Sequence, residues 1–124
     1  MTNFLLADDH ATTCSALVLL IHARLGESNI STVGDWERLL GLARSEQPDI
    51  ILFDWELPGG PPAERMGALR EIASQAKVIA LSARPEAEKE ASQCCGIDAF
   101  IGKSEPPSIV LETIRRFVQK DPVA

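Results

Sequence analysis

Residues 51–60 read ILFDWELPGG, and Ile50 lengthens the apolar run that opens them. Four large apolar side chains, Ile50 to Phe53, lead straight into the carboxylate of Asp54, and a Pro58-Gly59 turn follows almost at once. A short continuous apolar run bounded by turn residues reads as a strand buried on both faces. Such a strand needs helices on either side, so this stretch already argues for a covered parallel sheet. A carboxylate closing a buried strand also raises the question of what the other strand ends carry.

Working outward, Phe4 to Ala7 (FLLA) reads as a second buried strand, cut off by Asp8-Asp9. Residues from about Thr12 to Leu25 read as a helix ended by Gly26, and Ile30 to Val33 as a weaker strand. Asp35 is placed to cap a helix that carries Trp36, Leu39, Leu40 and Ala43 at helical spacing. Met66, Leu69, Ile72 and Ala73 mark a third helix, and Lys77 to Leu81 (KVIAL) a fourth strand. Pro85 opens a segment to about Cys94 that is acidic and offers only small residues, Ala87, Ala91 and Cys94, to a core. Ala99 to Ile101 form a short fifth strand, and Pro106-Pro107 open a last helix with Val110, Leu111, Ile114, Phe117 and Val118 inside. Five strands alternating with five helices predict a parallel sheet, because the helices supply the crossovers that parallel strands need.

The totals bound the function. A chain of 124 residues suits one domain, taken as residues 1–119, with 120–124 as a tail or the start of a linker. The longest apolar run, Ala16 to Ile21, is far short of the roughly 20 residues of a membrane span. The N-terminus meets two acids after its apolar residues and has no basic region, so it does not read as a signal peptide. Cys14, Cys94 and Cys95 form no CxxC pair and read as small apolar residues of a cytoplasmic protein. A net charge of −6 argues against direct nucleic-acid binding by this domain and suits a site that collects cations.

In an open α/β sheet, ligands bind beyond the carboxyl ends of the strands. Those ends carry Asp8 and Asp9, then Asp54, Ser82 and Lys103. Two like charges about 4 Å apart at an effective dielectric near 20 repel by roughly 4 kcal/mol. Three carboxylates in one crevice therefore call for cations. Lys103 offsets one charge, and a hard divalent ion would offset the others. All-oxygen ligands favour Mg²⁺, with Mn²⁺ as the alternative, and magnesium bound through few carboxylates leaves room for a phosphoryl group.

The order of these residues resembles the receiver domain of two-component response regulators over essentially the whole chain. The motifs are FLLADDH, ILFDWELPG, VIALSA and AFIGKS. The resemblance implies an α/β flavodoxin-like (βα)5 three-layer sandwich with a five-stranded sheet in order 2-1-3-4-5. It implies that Asp54 takes a phosphoryl group from a phosphohistidine, on a sensor histidine kinase or phosphotransfer protein. Asp9, Asp54 and the backbone carbonyl of Glu56 would hold Mg²⁺, with Asp8 acting through water. Lys103, the Ser82 hydroxyl and the Ala83 backbone N–H would meet the phosphoryl oxygens. Ser82 and Phe100 would form a switch that reshapes the surface of the last two helices and fifth strand. The chain would act as a signalling domain rather than an enzyme, promoting its own phosphorylation and dephosphorylation. The DDH and GKS variants are similar to receivers joined to helix-turn-helix DNA-binding output domains, which also implies homodimer formation on phosphorylation.

Several positions depart from the family's pattern. Pro62 stands where glycine is common, and Pro61 precedes it. Ser104 replaces the usual proline after the lysine, which leaves the isomer of the Lys103–Ser104 bond open. Trp55 and Glu56 crowd the acceptor, Arg84 would add a bond or face water, and Trp36 reads as packing. His10 reads as an exposed loop residue outside the chemistry, and His22 carries no expectation. Two rival readings stand beside it: a pseudo-receiver that binds partners without phosphorylation, and an aspartyl-phosphate-forming phosphatase, for which Glu56 stands where an aspartate is needed.

Overall fold

A computed structural model describes residues 1–94 and 96–118; Cys95 and the expected tail at 120–124 lie outside the described residues. The elements are β1 (Thr2–Ala7), α1 (Ala11–Arg24), β2 (Ser28–Val33), α2 (Trp36–Glu46), β3 (Ile50–Asp54), α3 (Pro62–Ile72), β4 (Lys77–Ser82), α4 (Ala87–Ser92), β5 (Ala99–Gly102) and α5 (Pro107–Arg115). All five strands are parallel, in the order β2-β1-β3-β4-β5. The architecture expected from the alternation of elements, including the flavodoxin-like strand order, is the one observed.

β3 is apolar at its first four positions for a reason of place. It lies at the centre of the sheet, and all five of its residues are buried. Ile51 and Phe53 join one core with Trp36 and Leu39 of α2, Met66 and Leu69 of α3, and Ala87 and Ala91 of α4. Ile50 and Leu52 join the other with Leu17 and Ile21 of α1 and Val110 and Ile114 of α5. Each large side chain fully buried in this way contributes about 1.5–3 kcal/mol before entropy is counted. β2 is different: it pairs only with β1 and none of its residues is fully buried. Half-burial explains why its polar start, Ser28 and Asn29, carries no apolar signal, and it begins two residues before the expected Ile30.

The helices start where their chemistry allows. Asp35 accepts the Arg38 N–H at 2.8 Å and caps α2 as expected. Pro62 and Pro107 occupy first-turn positions of α3 and α5, where a missing N–H costs nothing. The two prolines after the Asp54 loop therefore launch α3 rather than distort it. α4 is six residues long and buries only Ala87 and Ala91, with Cys94 packed partly beside them. Phe117 and Val118 pack partly buried against the α1 and α5 core, just past the end of α5. The Lys103–Ser104 bond is trans, as are all peptide bonds among the described residues. Among those residues, no helix is long and apolar enough to cross a membrane.

Candidate functional site

The strand order reverses direction at β1 and β3, and the crevice above their carboxyl ends is where an open α/β sheet takes ligands. Asp8 and Asp9 follow β1, and the Asp8 N–H is held by the Val33 carbonyl at 3.0 Å. Asp54 is the last residue of β3 rather than the first beyond it, in register with Leu81 of β4. Its carboxylate is thus fixed by the ladder itself. Ser82 ends β4, and Lys103 follows β5, with its N–H on the Ser82 carbonyl at 2.8 Å.

The loop after Asp54 is tied down at once. The Trp55 N–H reaches the Leu81 carbonyl at 2.7 Å, and the Leu57 N–H the Asp54 carbonyl at 2.9 Å. Trp36 then clamps the turn, donating its backbone N–H to Pro58 at 2.9 Å. Gly59 adopts φ +112° there, and a Cβ on it would lie 3.0 Å from that of Trp36, so only glycine fits.

Charge is concentrated beneath this loop. Lys103 Nζ lies 2.7 Å from Asp8 Oδ2 and 3.2 Å from Asp54 Oδ2. Both carboxylates are buried, with side chains 1% and 2% exposed. Burial pushes the Asp54 carboxyl above the ordinary carboxylate range, against the Glu56 N–H bond and the Lys103 charge. Burial also opposes ionisation of Asp8, but the Lys103 ammonium and the bonds from His10 prevail and hold it below its ordinary value. Lys103 is raised: burial disfavours its charge, and the two carboxylates more than compensate.

The structure brings together the residues singled out by sequence and adds one that sequence reasoning set aside. His10 Nδ1 lies 3.0 Å from Asp8 Oδ1, 3.3 Å from Asp9 Oδ1 and 3.6 Å from Asp54 Oδ2. Its backbone N–H donates to Asp8 Oδ1 at 2.9 Å. His10 is exposed, as expected, and its ring faces the acidic cluster. Asp8, Asp9, His10 and Asp54 each offer a ligand atom, all within 4.8 Å of one another. Asp8 Oδ2 is buried and receives no aligned hydrogen bond, only the ammonium. Hard oxygen donors in excess of the nearby cations fit a divalent ion. Cys14 sits behind them, its thiol donating to the Asp8 carbonyl at 3.4 Å; burial and the Asp8 charge push that thiol up, away from reactivity.

Ser82 is engaged differently from the expected contact with a phosphoryl group. Its hydroxyl donates to Glu56 Oε1 at 2.8 Å and accepts the Arg84 N–H at 3.0 Å. Arg84 is the hub of this rim. It bonds Glu56 Oε2 and Glu90 Oε1, both at 2.9 Å, while the Trp55 indole N–H donates to the same Glu90 oxygen at 2.8 Å. Arg84 and Trp55 hold the Glu90 carboxyl below its ordinary value. Sequence reasoning saw Arg84 only as an optional bond, because its partners are distant in the chain. Exposed ion pairs contribute little to stability. Arg84→Ala is expected to leave the thermal midpoint nearly unchanged while shifting Trp55 emission, and an unaltered spectrum would show that this rim is not formed in solution. Ala83 is exposed, and Phe100 is half-buried; both line a cleft of about 230 Å³ with Ser82, Gly102 and Ile109.

Comparison with known proteins agrees with this geometry. Residues 4–115 match the model of the response regulator receiver domain. The transcriptional activator protein ExaE of Pseudomonas putida is 28% identical over 118 residues, covering 92% of this chain and 54% of that protein. The chain therefore spans about half the length of that relative. Among solved structures, the receiver domain of a NarL regulator from Mycobacterium tuberculosis superposes with a TM-score of 0.79 at 23% identity, covering 93% of this chain and 94% of that one. The receiver domain of sensor histidine kinase PA1611 from Pseudomonas aeruginosa PAO1, described with a magnesium ion coordinated in its active-site cleft, gives 0.81 at 20% identity, covering 94% and 96%. At such identities the two structures speak for the fold alone. The family match spans nearly the whole chain, and on it the protein belongs to the response regulator receiver domains.

Proposed function

We propose that this receiver domain is switched by phosphorylation of Asp54 in the presence of Mg²⁺. One observation carries the reading: Lys103 bridges two buried carboxylates from different strands, Asp8 and Asp54, at the mouth of the crevice. Evolving a fold core around two like charges and a lysine is costly for stability alone, and a reaction at Asp54 explains it.

Asp54 is the nucleophile: burial disfavours its ionised form, and the Glu56 N–H bond at 3.0 Å and the Lys103 ammonium work against that. One of its oxygens bonds phosphorus as the phosphorus–nitrogen bond of a phosphohistidine breaks, the electron pair leaving with the imidazole. Asp9, Asp54 and the Glu56 carbonyl would hold Mg²⁺, Asp8 acting through water, and the ion when bound neutralises charge on the transferred group. Lys103 meets an equatorial oxygen, and the Ala83 N–H and Ser82 hydroxyl another. To do so, Ser82 must leave Glu56, and Phe100 then fills the space beside it, altering the surface of α4, β5 and α5. The donor would be a histidine kinase or phosphotransfer protein. The partial coverage of a transcriptional activator favours a DNA-binding output domain in a longer chain.

The test is phosphotransfer from acetyl phosphate and from a panel of phosphorylated kinases, with Asp54→Asn as control. Stoichiometric Mg²⁺-dependent label that Asp54→Asn abolishes is expected. Label that survives in the variant, or no label with any donor, would exclude the reading and favour a phosphorylation-independent binding module. NMR of the same beryllofluoride-treated protein should show shifts around Phe100, and their absence would sink the coupling.

A further inference from the structure

A hydroxyl carries one proton, and that of Ser82 is already committed. Ser82 is buried, its hydroxyl donates to Glu56 Oε1 at 2.8 Å, and the same oxygen accepts the Arg84 N–H at 3.0 Å. While that bond stands, no proton is left for a phosphoryl oxygen. The acceptor is a carboxylate, which makes the stronger class of hydrogen bond. A phosphoryl oxygen would therefore have to compete with Glu56 for the donor.

Glu56 is fixed in this place from several sides. Its backbone N–H bonds Asp54 Oδ1 at 3.0 Å, and its neighbours Trp55 and Leu57 tie their N–H groups to the Leu81 and Asp54 carbonyls. Its second oxygen, Oε2, receives the Arg84 guanidinium at 2.9 Å, and Glu90 Oε1 holds Arg84 in turn at 2.9 Å. The Arg84 and Glu56 side chains are 42% and 39% exposed, and ion pairs at that exposure contribute little to stability. Keeping the fold together therefore does not account for the arrangement. Orientation does: with Arg84 on Oε2, Oε1 is left to Ser82.

Resting on the reading that Asp54 is phosphorylated, we propose that the Glu56 carboxylate is a positioning residue that latches Ser82 in the resting state and restrains phosphorylation until the phosphoryl group displaces it. The side chain acts through Ser82 rather than on Asp54, and Arg84 keeps it aimed. The affinity of a protein for a ligand falls by the fraction of molecules in the competent arrangement. A latch closed in most molecules thus weakens every phosphoryl-like ligand by the same factor, and the resting domain is kept quiet.

Calorimetric titration of the 124-residue chain with beryllofluoride at saturating Mg²⁺, beside Glu56→Ala, Ser82→Ala and the double variant, tests this. Glu56→Ala should bind beryllofluoride about five- to tenfold more tightly, the contribution of a hydrogen bond to a charged group discounted for partial exposure. Glu56→Gln, which keeps the length and loses the charge, should move the same way by a smaller factor. In the Ser82→Ala background there is no hydroxyl to release, so adding Glu56→Ala should change binding less than about twofold. A gain that persists in full there would show that Glu56 only repels the anion, and would overturn the latch. Unchanged or weaker binding by both Glu56 variants would overturn it too, with phosphorylation of Asp54 left standing. A wild type that ignores beryllofluoride, or binds it no better than Asp54→Asn does, would overturn both the latch and the function it rests on.

Discussion

Trp36→Ala should destabilise the domain by about 3–5 kcal/mol, the range for removing a large aromatic side chain from a core. Trp36 is fully buried and its ring centroid lies 5.1 Å from that of Phe53, directly behind Asp54. Its backbone N–H still holds the Pro58 carbonyl in the variant, so the loop after Asp54 keeps that tie and the loss is that of the buried ring. The indole N–H, however, is buried without a hydrogen-bond partner. Such a group costs about 1–3 kcal/mol, which Trp36→Phe would recover while opening a modest void. The two effects nearly cancel, and Trp36→Phe should stay within about 1 kcal/mol of wild type. Denaturant midpoints decide the matter: equal losses for alanine and phenylalanine would show that the indole nitrogen is not stranded.

The second large effect concerns the charge balance. Lys103→Met should destabilise the domain by about 2–3 kcal/mol near neutrality, below the full penalty for breaking a buried ion pair because Lys103 is 16% exposed. The variant leaves the Asp8 and Asp54 carboxylates facing each other without the ammonium. The pH dependence follows from the direction of each shift. Lys103 is raised above its ordinary 10.5, so its contribution is fully present below that value and is lost only as pH rises through the folded value. Asp54 is already raised, and loss of Lys103 raises it further, so protonating it favours the folded variant. The deficit should therefore narrow as pH falls through the Asp54 range. Asp8 works the other way in the wild type: lowered from 3.8, it stabilises above that value and gives this up as pH falls through its folded value. Unfolding free energies of both proteins between acid and neutral pH measure the curve, and a deficit that is flat or grows toward acid would show that Lys103 does not neutralise this pair.

How far the sequence could be read follows from burial. β1, β3 and β4 are buried on nearly every residue, so their runs of Leu, Ile and Val were unambiguous. β2 is a half-buried edge, and its first two residues are polar, so pattern alone could not find its start. The apolar run from Ile50 stops at Phe53, whereas the ladder to Leu81 continues one residue further, through Asp54. The acidic cluster was legible because strand ends converge whatever the loops do. The inward lean of His10 was not, since it depends on one backbone bond to Asp8, and an exposed histidine in a loop has no periodicity to betray it. Nor was the rim around Ser82, whose members Trp55, Glu56, Arg84 and Glu90 come from two distant segments and share no motif. Family likeness supplied the strand order, which the sheet shows, and could not supply what is particular to this chain.

The slender fourth helix is moored differently from its four companions. Two alanines give it little grip on the sheet, and its other ties include the Trp55 indole on Glu90 and the partly exposed bonds from Arg84 to Glu86 and Glu90. Attractions of that kind fade as dissolved electrolyte shortens the distance over which charges feel each other, to about 8 Å in ordinary cytoplasm and less in brine. The hold of this helix on the sheet is accordingly the part of the fold most sensitive to ionic strength, while the oily interior that carries the strands is indifferent.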